Sequence, residues 1–264
     1  MSNLTIDING YCNEACKFCY QNLDGSTLSE DEILKLVDEN PKARTVEIGG
    51  GEPFLDPRIV DLIRFIREKG RGVHIATNAT RIPEGFLDLE DSVRGEVQIQ
   101  VSIHGSNPEM YQRVHGKNLF DKVIGNTKRI KSKFDTIMTS AVYQENFNDV
   151  PNLVRLAEEL DIPLRVNLVF PVGKGASVQR LNARQIDQLR GYLLGQRLSK
   201  GRKIDSPLIH QNNCYAISEA YGIERKGICP FDCGKVYVSP SGEKSSCEFY
   251  NPSKSEQLNA GDSK

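Results

Sequence analysis

The sequence has no long apolar run and no marked excess of either charge. A helix that spans a membrane needs about 20 consecutive apolar residues, and no segment offers that many. The first ten residues, MSNLTIDING, also lack the basic and apolar segments of a secretory signal. Lysine and arginine total 34 against 35 aspartate and glutamate, without the basic excess of nucleic-acid-binding proteins. We therefore predict a cytoplasmic protein with no membrane partner, and the charge argues against nucleic acid.

Seven cysteines are an odd number, and a reducing cytoplasm disfavours disulfides. We therefore interpret them as metal ligands or reactive thiols. They form two groups. The first group falls within eight positions near the start of the chain: Cys12, Cys16 and Cys19. The second group lies near the end: Cys214, Cys229, Cys233 and Cys247.

Six β-branched runs alternate with segments of helical spacing. The runs predict strands over 4–8, 45–49, 72–78, 97–103, 136–143 and 164–170, and helices are predicted over 29–40, 57–70, 119–134 and 150–161. Ser29 followed by Glu32 is a capping-box signature, and Gly70 is typical of a helix end. This alternation indicates a parallel sheet with right-handed crossovers, and six units predict a barrel that does not close.

The predicted fold is therefore α/β, a partial (β/α)6 TIM-type barrel over residues 1–180. Residues 181–251 begin with a helical stretch and become irregular, which predicts a small cluster-binding subdomain that carries the later cysteines. A Ser-Pro-Ser-Gly turn inside it predicts a β-hairpin. Residues 252–264 are polar and are predicted to be disordered. In such barrels chemistry gathers at the carboxyl ends of the strands, where the motifs below lie.

Three thiols on one loop suit an iron-sulfur cluster, whose irons each take one soft ligand. A 4Fe-4S cluster held by three cysteines keeps one iron open. A structural zinc site normally has four protein ligands, and no histidine occurs in the first 70 residues to provide the fourth. The other alternative is that these cysteines are small buried residues without a ligand.

The pattern Cys12-xxx-Cys16-x-Phe18-Cys19, directly after the first strand, resembles that of the radical S-adenosylmethionine (SAM) enzymes. Three further motifs also resemble that family, each at the end of a predicted strand. They are GGGEP at 49–53, ATNAT at 76–80 and VSIHG at 101–105. The resemblance covers residues 4–171.

The resemblance implies a binding site for S-adenosyl-L-methionine beside the first cluster. Glu52 would face the amino group of the methionine moiety, Ser102 would lie near the ribose or carboxylate, and Phe18 beside the cluster or the adenine. The other implied contacts are Gly49, Gly50, Gly51, Thr77, Asn78, Asn146 and Val169. His104 has two open interpretations, a residue that faces the site or a hydrogen-bonded histidine at the barrel rim without a chemical role.

The resemblance also implies a mechanism. An electron from the reduced cluster would cleave SAM to methionine and a 5'-deoxyadenosyl radical, and that radical would abstract hydrogen from a substrate. The protein would orient the reactants and exclude water. A low-potential donor such as flavodoxin or ferredoxin would supply the electron.

The later cysteines are separated by fourteen, three and thirteen residues. They resemble the twitch or SPASM-type extension of radical SAM enzymes, which implies a second, auxiliary 4Fe-4S cluster. The spacing departs from the full SPASM pattern, which has more cysteines, and from the GTP cyclase of molybdenum-cofactor biosynthesis, which has two residues where this chain has three and ends in a double glycine. A zinc knuckle with four cysteines is the alternative.

These features predict a radical SAM oxidoreductase or maturase that acts on a small metabolite or a peptide, with the auxiliary cluster accepting an electron from the substrate radical. Peptide maturases often carry an amino-terminal winged-helix module, and strand 1 begins by Leu4, so we expect a small molecule or a peptide delivered by a separate partner. Two alternatives stay open. One is a nucleotide-rearranging enzyme similar to the GTP cyclase, and the other is a non-catalytic, metal-stapled binding protein.

Overall fold

The fold was taken from a computed structural model, which describes residues 4–210, 215–223 and 236–245. Nine strands are present in these ranges: β1 (Leu4–Asp7), β2 (Thr45–Gly49), β3 (Gly72–Thr77), β4 (Val97–Ser102), β5 (Asp135–Val142), β6 (Leu164–Leu168), β7 (Ile204–Asp205), β8 (Val236–Val238) and β9 (Lys244–Ser245). The helices are α1 (Glu30–Glu39), α2 (Ile59–Glu68), α3 (Asp91–Arg94), α4 (Pro108–His115), α5 (Phe120–Lys131), α6 (Val150–Glu159), α7 (Ala183–Lys200), α8 (Pro207–His210) and α9 (Tyr215–Tyr221).

All nine strands belong to one sheet, in the order β7-β6-β5-β4-β3-β2-β1-β8-β9. Every neighbouring pair is parallel except β8 and β9. The six strands predicted from β-branched runs are β1 to β6, and they lie side by side in sequence order. An open, mostly parallel sheet of this kind is the predicted partial barrel, so the α/β fold prediction is confirmed.

The two faces of the sheet differ in burial. On β2, β3, β4 and β6 buried residues alternate with more exposed ones. The buried set, such as Ile48, Ile75 and Val101, shares one core with apolar residues of the helices. The more exposed set defines what we call the inner face, the concave side that the helices leave uncovered. Its polar members on these strands are Thr45, Glu47, His74, Gln98, Gln100, Ser102, Arg165 and Asn167.

Local capping explains several helix ends. Ser29 and Glu32 form the predicted capping box at α1, and Gly70 follows α2 with φ of 71°. Helix α4 was not predicted, although it carries a clear signature. Asn107 caps its start, Pro108 is its first residue and Gly116 ends it with φ of 80°. This short helix turns out to position two side chains of the candidate site.

The described residues beyond 180 extend the same sheet at both edges. Strand β7 pairs with β6, and β8 pairs with β1. The predicted hairpin is present as β8 and β9, and apolar residues of α7 and α9 join the main core. The subdomain boundary at residue 180 stays a prediction. Among the helices of the described ranges, none combines the length and apolar character needed to cross a membrane.

Candidate functional site

The loop between β1 and α1 carries Cys12, Cys16 and Cys19, all half-buried. Backbone hydrogen bonds attach this loop to its surroundings. Ala15 N donates to His115 O and Lys17 N to Val114 O, both at 3.1 Å, and Lys174 N donates to Cys19 O at 2.9 Å. The thiol loop is therefore anchored to the end of α4 and to the segment after β6.

The three thiols have raised pKa values. Burial raises the pKa of Cys12 to about 11, and burial also raises the pKa of Cys16 and of Cys19. Two N–H groups point at the Cys12 sulfur, Glu14 N at 3.4 Å and Asn78 Nδ2 at 3.7 Å. Three thiols on one loop, with N–H donors directed at a sulfur, fit a metal cluster, because a metal displaces the thiol protons and the donors stabilise the thiolate.

The glycines of GGGEP lie against the chain that leads into the thiol loop. Gly51 N donates to Asn9 O at 2.8 Å, and Glu52 N donates to Tyr11 O at 2.9 Å. A Cβ at Gly50 would stand 2.5 Å from Asn9 O, and one at Gly51 would stand 2.2 Å from Tyr11 O. Side chains at these two positions are therefore excluded by the neighbouring backbone, whatever ligand lies above them.

Glu52 is buried, and its carboxylate accepts three hydrogen bonds. Oε1 accepts from Thr77 Oγ1 at 2.6 Å and from Phe54 N at 2.9 Å, and Oε2 accepts from Asn78 N at 2.6 Å. Burial raises the pKa of Glu52 to about 7 against the lowering effect of these bonds. The side chain therefore connects the turn after β2 to the end of β3. The predicted contact of Glu52 with the methionine moiety stays a prediction.

Thr77 and Asn78 continue this connection toward the thiols. The side chain of Asn78 donates to Asn13 Oδ1 at 3.0 Å as well as to the Cys12 sulfur. Thr80 accepts a second bond from the same loop, from Asn13 Nδ2 at 2.7 Å. The buried segment after β3 therefore holds the thiol loop in place through these hydrogen bonds.

His104 and Asn146 are buried and hydrogen-bonded at the ends of β4 and β5. His104 Nδ1 accepts from Ala141 N at 3.0 Å, and burial holds its pKa well below the ordinary range. Asn146 Nδ2 donates to His104 O and to Ala141 O, both at 2.9 Å, and its Oδ1 accepts from Tyr143 N. For His104 the geometry favours the rim interpretation. Asn146 joins two loops, and its role as a ligand contact stays a prediction.

Phe18 and Val169 belong to a small apolar cluster beside the main core, with Tyr143. The Phe18 ring meets His104 edge-on at 4.7 Å. Ser102 ends β4 on the inner face and is half-buried. The predicted site residues thus divide in two. The accessible set is Cys12, Cys16, Phe18, Cys19, Gly49, Gly50, Gly51 and Ser102, and the supporting buried set is Glu52, Thr77, Asn78, His104, Asn146 and Val169.

A buried polar network beneath Cys16 was not predicted. Glu14 Oε1 accepts from the Tyr111 hydroxyl at 2.5 Å, and Glu14 Oε2 lies 2.9 Å from His115 Nδ1. His115 Nε2 accepts from His104 N at 3.2 Å, so the ring proton lies on Nδ1 and is donated to Glu14. The rings of Tyr111 and His115 stack at 3.8 Å.

This network corrects one step of the sequence argument. Histidine was excluded near the first thiols because none occurs in the first 70 residues, but His115 Nδ1 lies 3.8 Å from the Cys16 sulfur. Glu14, Cys16 and His115 also form a group with metal-ligand atoms in mutual reach. In the structure both ring nitrogens of His115 already have partners. The cap residues around α4 were the signal that could have revealed this helix.

Replacing His115 by phenylalanine is expected to destabilise the protein by roughly 3–5 kcal/mol. The new ring keeps the stack on Tyr111, but the buried Glu14 carboxylate loses one donor and His104 N loses its acceptor. Chemical denaturation of the cluster-free protein measures the effect. Tyr111→Phe is the matched control, because it removes a single hydrogen bond and should cost about 1.5–2 kcal/mol. An equal or smaller loss for His115→Phe would contradict this account of the network.

The four later cysteines, Cys214, Cys229, Cys233 and Cys247, lie outside the described residues. Their assignment as ligands of an auxiliary cluster therefore stays a prediction. The described part of the hairpin does approach the first site. The Tyr237 hydroxyl and Gln21 Nε2 both donate to Asp7 Oδ2, at 2.7 and 2.6 Å.

Comparison with known proteins identifies relatives over most of the chain. The chain is 29% identical over 255 residues to the mycofactocin maturase MftC of Mycolicibacterium smegmatis, a match that covers 90% of this chain and 64% of that protein. It is 27% identical over 267 residues to the GTP 3',8-cyclase of Shewanella denitrificans, covering 93% and 77%. The chain thus spans less than two thirds of the maturase.

Solved structures show the same fold. SuiB of Streptococcus suis, bound to its precursor peptide SuiA, superposes with a TM-score of 0.75 at 16% identity, over 93% of this chain and 59% of SuiB. Coproporphyrinogen III oxidase (HemN) of Escherichia coli gives 0.54 at 14% identity, over 94% and 61%. The family model described as the radical SAM superfamily matches residues 6–157. Because that match covers more than half of the chain, the protein belongs to the radical SAM superfamily.

Proposed function

We propose that this protein is a radical SAM oxidoreductase or maturase that removes hydrogen from a peptide substrate. The observation that carries the proposal is the anchored loop of three half-buried thiols beside the open inner face of the sheet. Two relatives support a peptide. MftC is named a maturase, and SuiB has been solved with a precursor peptide bound. A small metabolite of similar chemistry is the alternative within the same proposal.

Each group of residues has a separate task. Cys12, Cys16 and Cys19 would hold the cluster. When SAM is bound, the cluster and SAM together supply a carbon radical that takes a hydrogen atom from the substrate. Glu52 holds the turn after β2 in place through its hydrogen bonds to the end of β3. Asn78 in turn holds the thiol loop in place through its side-chain hydrogen bonds. The small apolar cluster that contains Phe18 and Val169 would exclude water from the reacting atoms.

The auxiliary cluster belongs to this proposal. Four later cysteines suffice for one closed 4Fe-4S cluster, which would accept the electron that the substrate radical loses on oxidation. A zinc ion held by the same four cysteines is the alternative, because zinc takes four thiolates in structural sites. A flavodoxin or ferredoxin is proposed as the donor to the first cluster.

A second candidate function is the rearrangement of a nucleotide. The observation that favours it is the similarity to GTP 3',8-cyclase, which covers 93% of the chain. In that case the auxiliary cluster would keep an open iron for the substrate, and Cys214→Ala would leave the cluster intact.

Label transfer tests the proposal. The anaerobically reconstituted protein is reduced in the presence of SAM and of deuterated candidates, namely peptides and GTP. We expect deuterium to appear in 5'-deoxyadenosine with a peptide and not with GTP. Transfer from GTP alone would favour the nucleotide function, and a protein that holds only zinc and leaves SAM intact would refute both.

A further inference from the structure

The hydroxyl of Thr139 has no hydrogen-bond partner among the described residues, although the residue is only 6% exposed. A buried hydroxyl without a partner costs about 1–3 kcal/mol, and native proteins retain few of them without a reason. Thr139 lies on β5 with its side chain on the inner face, opposite in direction to Met138, which packs in the core. The orphan hydroxyl therefore lies on the same face of the sheet as Ser102.

Strand register gives Thr139 two polar neighbours on that face. It pairs with Ser102 of β4 on one side and with Arg165 of β6 on the other. Side chains in register on parallel strands point to the same side, so these three form a row across the sheet. Ser102 is the last residue of β4 and Thr139 lies in the second half of β5, whereas Arg165 is the second residue of β6.

The guanidinium group of Arg165 has N–H donors that form no hydrogen bond within the described residues. Its side chain is 42% exposed; Nε donates to Asp205 Oδ2 at 3.2 Å and Nη1 donates to Gln100 Oε1 at 3.4 Å. The contact with Asp205 is an ion pair of ordinary length and the contact with Gln100 is long, and within the described ranges Nη2 donates no hydrogen bond. An arginine that is held at one edge and free at the other can bind an oxygen anion through its outer N–H groups.

The charge of the inner face limits what the row can bind. Along the described strands Arg165 is the sole lysine or arginine on this face, and Asp7, Glu47, Asp135 and Asp205 are acidic. Because carboxylates outnumber the cation, this face disfavours a ligand with several negative charges more strongly than a ligand with one. A triphosphate carries several charges and would be repelled.

We propose that Thr139 and Arg165, beside the SAM contact predicted at Ser102, bind a carboxylate of the substrate, with Arg165 and the Thr139 hydroxyl as hydrogen-bond donors to its oxygens. This inference rests on the proposed function, since it names the substrate class of the same site. It favours a peptide with a free carboxyl group or an amino-acid-like acid over a nucleotide. The neighbouring contacts predicted for SAM raise a second source for the same chemistry, the carboxylate of SAM itself.

Chemical footprinting of arginine distinguishes these sources. The anaerobically reconstituted full chain is treated with phenylglyoxal, with and without SAM, and the reaction at each arginine is followed by mass spectrometry. N-acetylglycinate, its neutral amide N-acetylglycinamide and GTP are added in turn as probes. We expect N-acetylglycinate to slow the reaction of Arg165 saturably, by about threefold or more, while SAM is bound. The amide should have no effect, and the exposed Arg129 and Arg184 provide internal controls.

Two variants make the test specific to the hydroxyl. Thr139→Val should reduce the protection of Arg165 by N-acetylglycinate while leaving the Tm unchanged or higher, because it removes an unpaired hydroxyl. Thr136→Val is the matched control on the other face of β5, where the hydroxyl donates to Phe134 O at 2.9 Å. It should lower the Tm and leave the protection intact. This opposite pattern separates a binding role from a packing role.

Several outcomes would overturn the proposal. They are equal protection of Arg165 by the acid and the amide, stronger protection by GTP, or complete protection by SAM alone with no further effect of N-acetylglycinate. Unchanged protection in Thr139→Val would also overturn the role of the hydroxyl. SAM cleavage is measured in the same preparation. Loss of cleavage with intact protection would refute the proposed function, whereas cleavage without protection would refute only the carboxylate site.

Discussion

Replacement of Glu52 by glutamine is expected to lower the free energy of unfolding by about 2–4 kcal/mol. The buried carboxylate accepts from Thr77, Asn78 and Phe54. A glutamine side chain has one oxygen and one NH₂ group. The NH₂ group would face either the backbone N–H of Asn78 or the two donors of Thr77 and Phe54, and it cannot accept a hydrogen bond from them. Urea denaturation of the cluster-free protein measures the loss.

Two control variants separate the roles of Glu52. Glu47 lies on β2, the strand that precedes Glu52; it is half-buried and accepts from Thr5 Oγ1 at 2.8 Å, and the control is Glu47→Gln. It should cost less than about 1 kcal/mol. Thr77→Val removes one donor to Glu52 without altering the carboxylate. If Glu52 contacts SAM directly, SAM affinity should fall far more in Glu52→Gln than in Thr77→Val. Equal stability in Glu52→Gln and Glu47→Gln would contradict the structural role.

The second large effect concerns the thiols. Changing Cys12, Cys16 and Cys19 together to serine should remove one cluster, so that the iron content of the reconstituted protein falls from about eight atoms to about four. SAM cleavage should be abolished, because the cluster whose open iron would bind SAM is lost. Iron analysis and the yield of 5'-deoxyadenosine measure both results.

The reciprocal variant is the control. Changing Cys214, Cys229, Cys233 and Cys247 to serine should also lower the iron content to about four atoms, but reductive cleavage of SAM should persist. Four or more iron atoms bound by the variant that lacks the first three cysteines, with SAM still cleaved, would refute the assignment of the first site. Zinc lost from the reciprocal variant would identify the second site as a zinc knuckle.

Much of the fold follows from local sequence signals. The six predicted strands are present because each β-branched run is one buried parallel strand. The capping box of Ser29 and Glu32 and the helix end at Gly70 depend on neighbouring residues alone, so they too are predictable. The thiol loop and its position after β1 also follow from a short motif.

The supporting contacts do not follow from local signals. Glu14 and His115 are separated by 101 positions, and only the anchoring of α4 to the thiol loop joins them. The resemblance predicts that Glu52 faces a ligand, which stays a prediction, but it does not predict the three hydrogen bonds that its buried carboxylate accepts. The orphan hydroxyl of Thr139 is visible only when the neighbours of β5 are known. Such features depend on tertiary contacts that one sequence does not specify.

The central claim is that this protein uses its first three thiols to cleave SAM. The most direct measurement is the formation of 5'-deoxyadenosine by the anaerobically reconstituted protein after reduction with dithionite, compared with the serine variant of Cys12, Cys16 and Cys19. We expect 5'-deoxyadenosine and methionine in equal amounts from the unaltered protein and none from the variant. Equal yields from both proteins, or none from either although the unaltered protein holds its full iron content, would contradict the account.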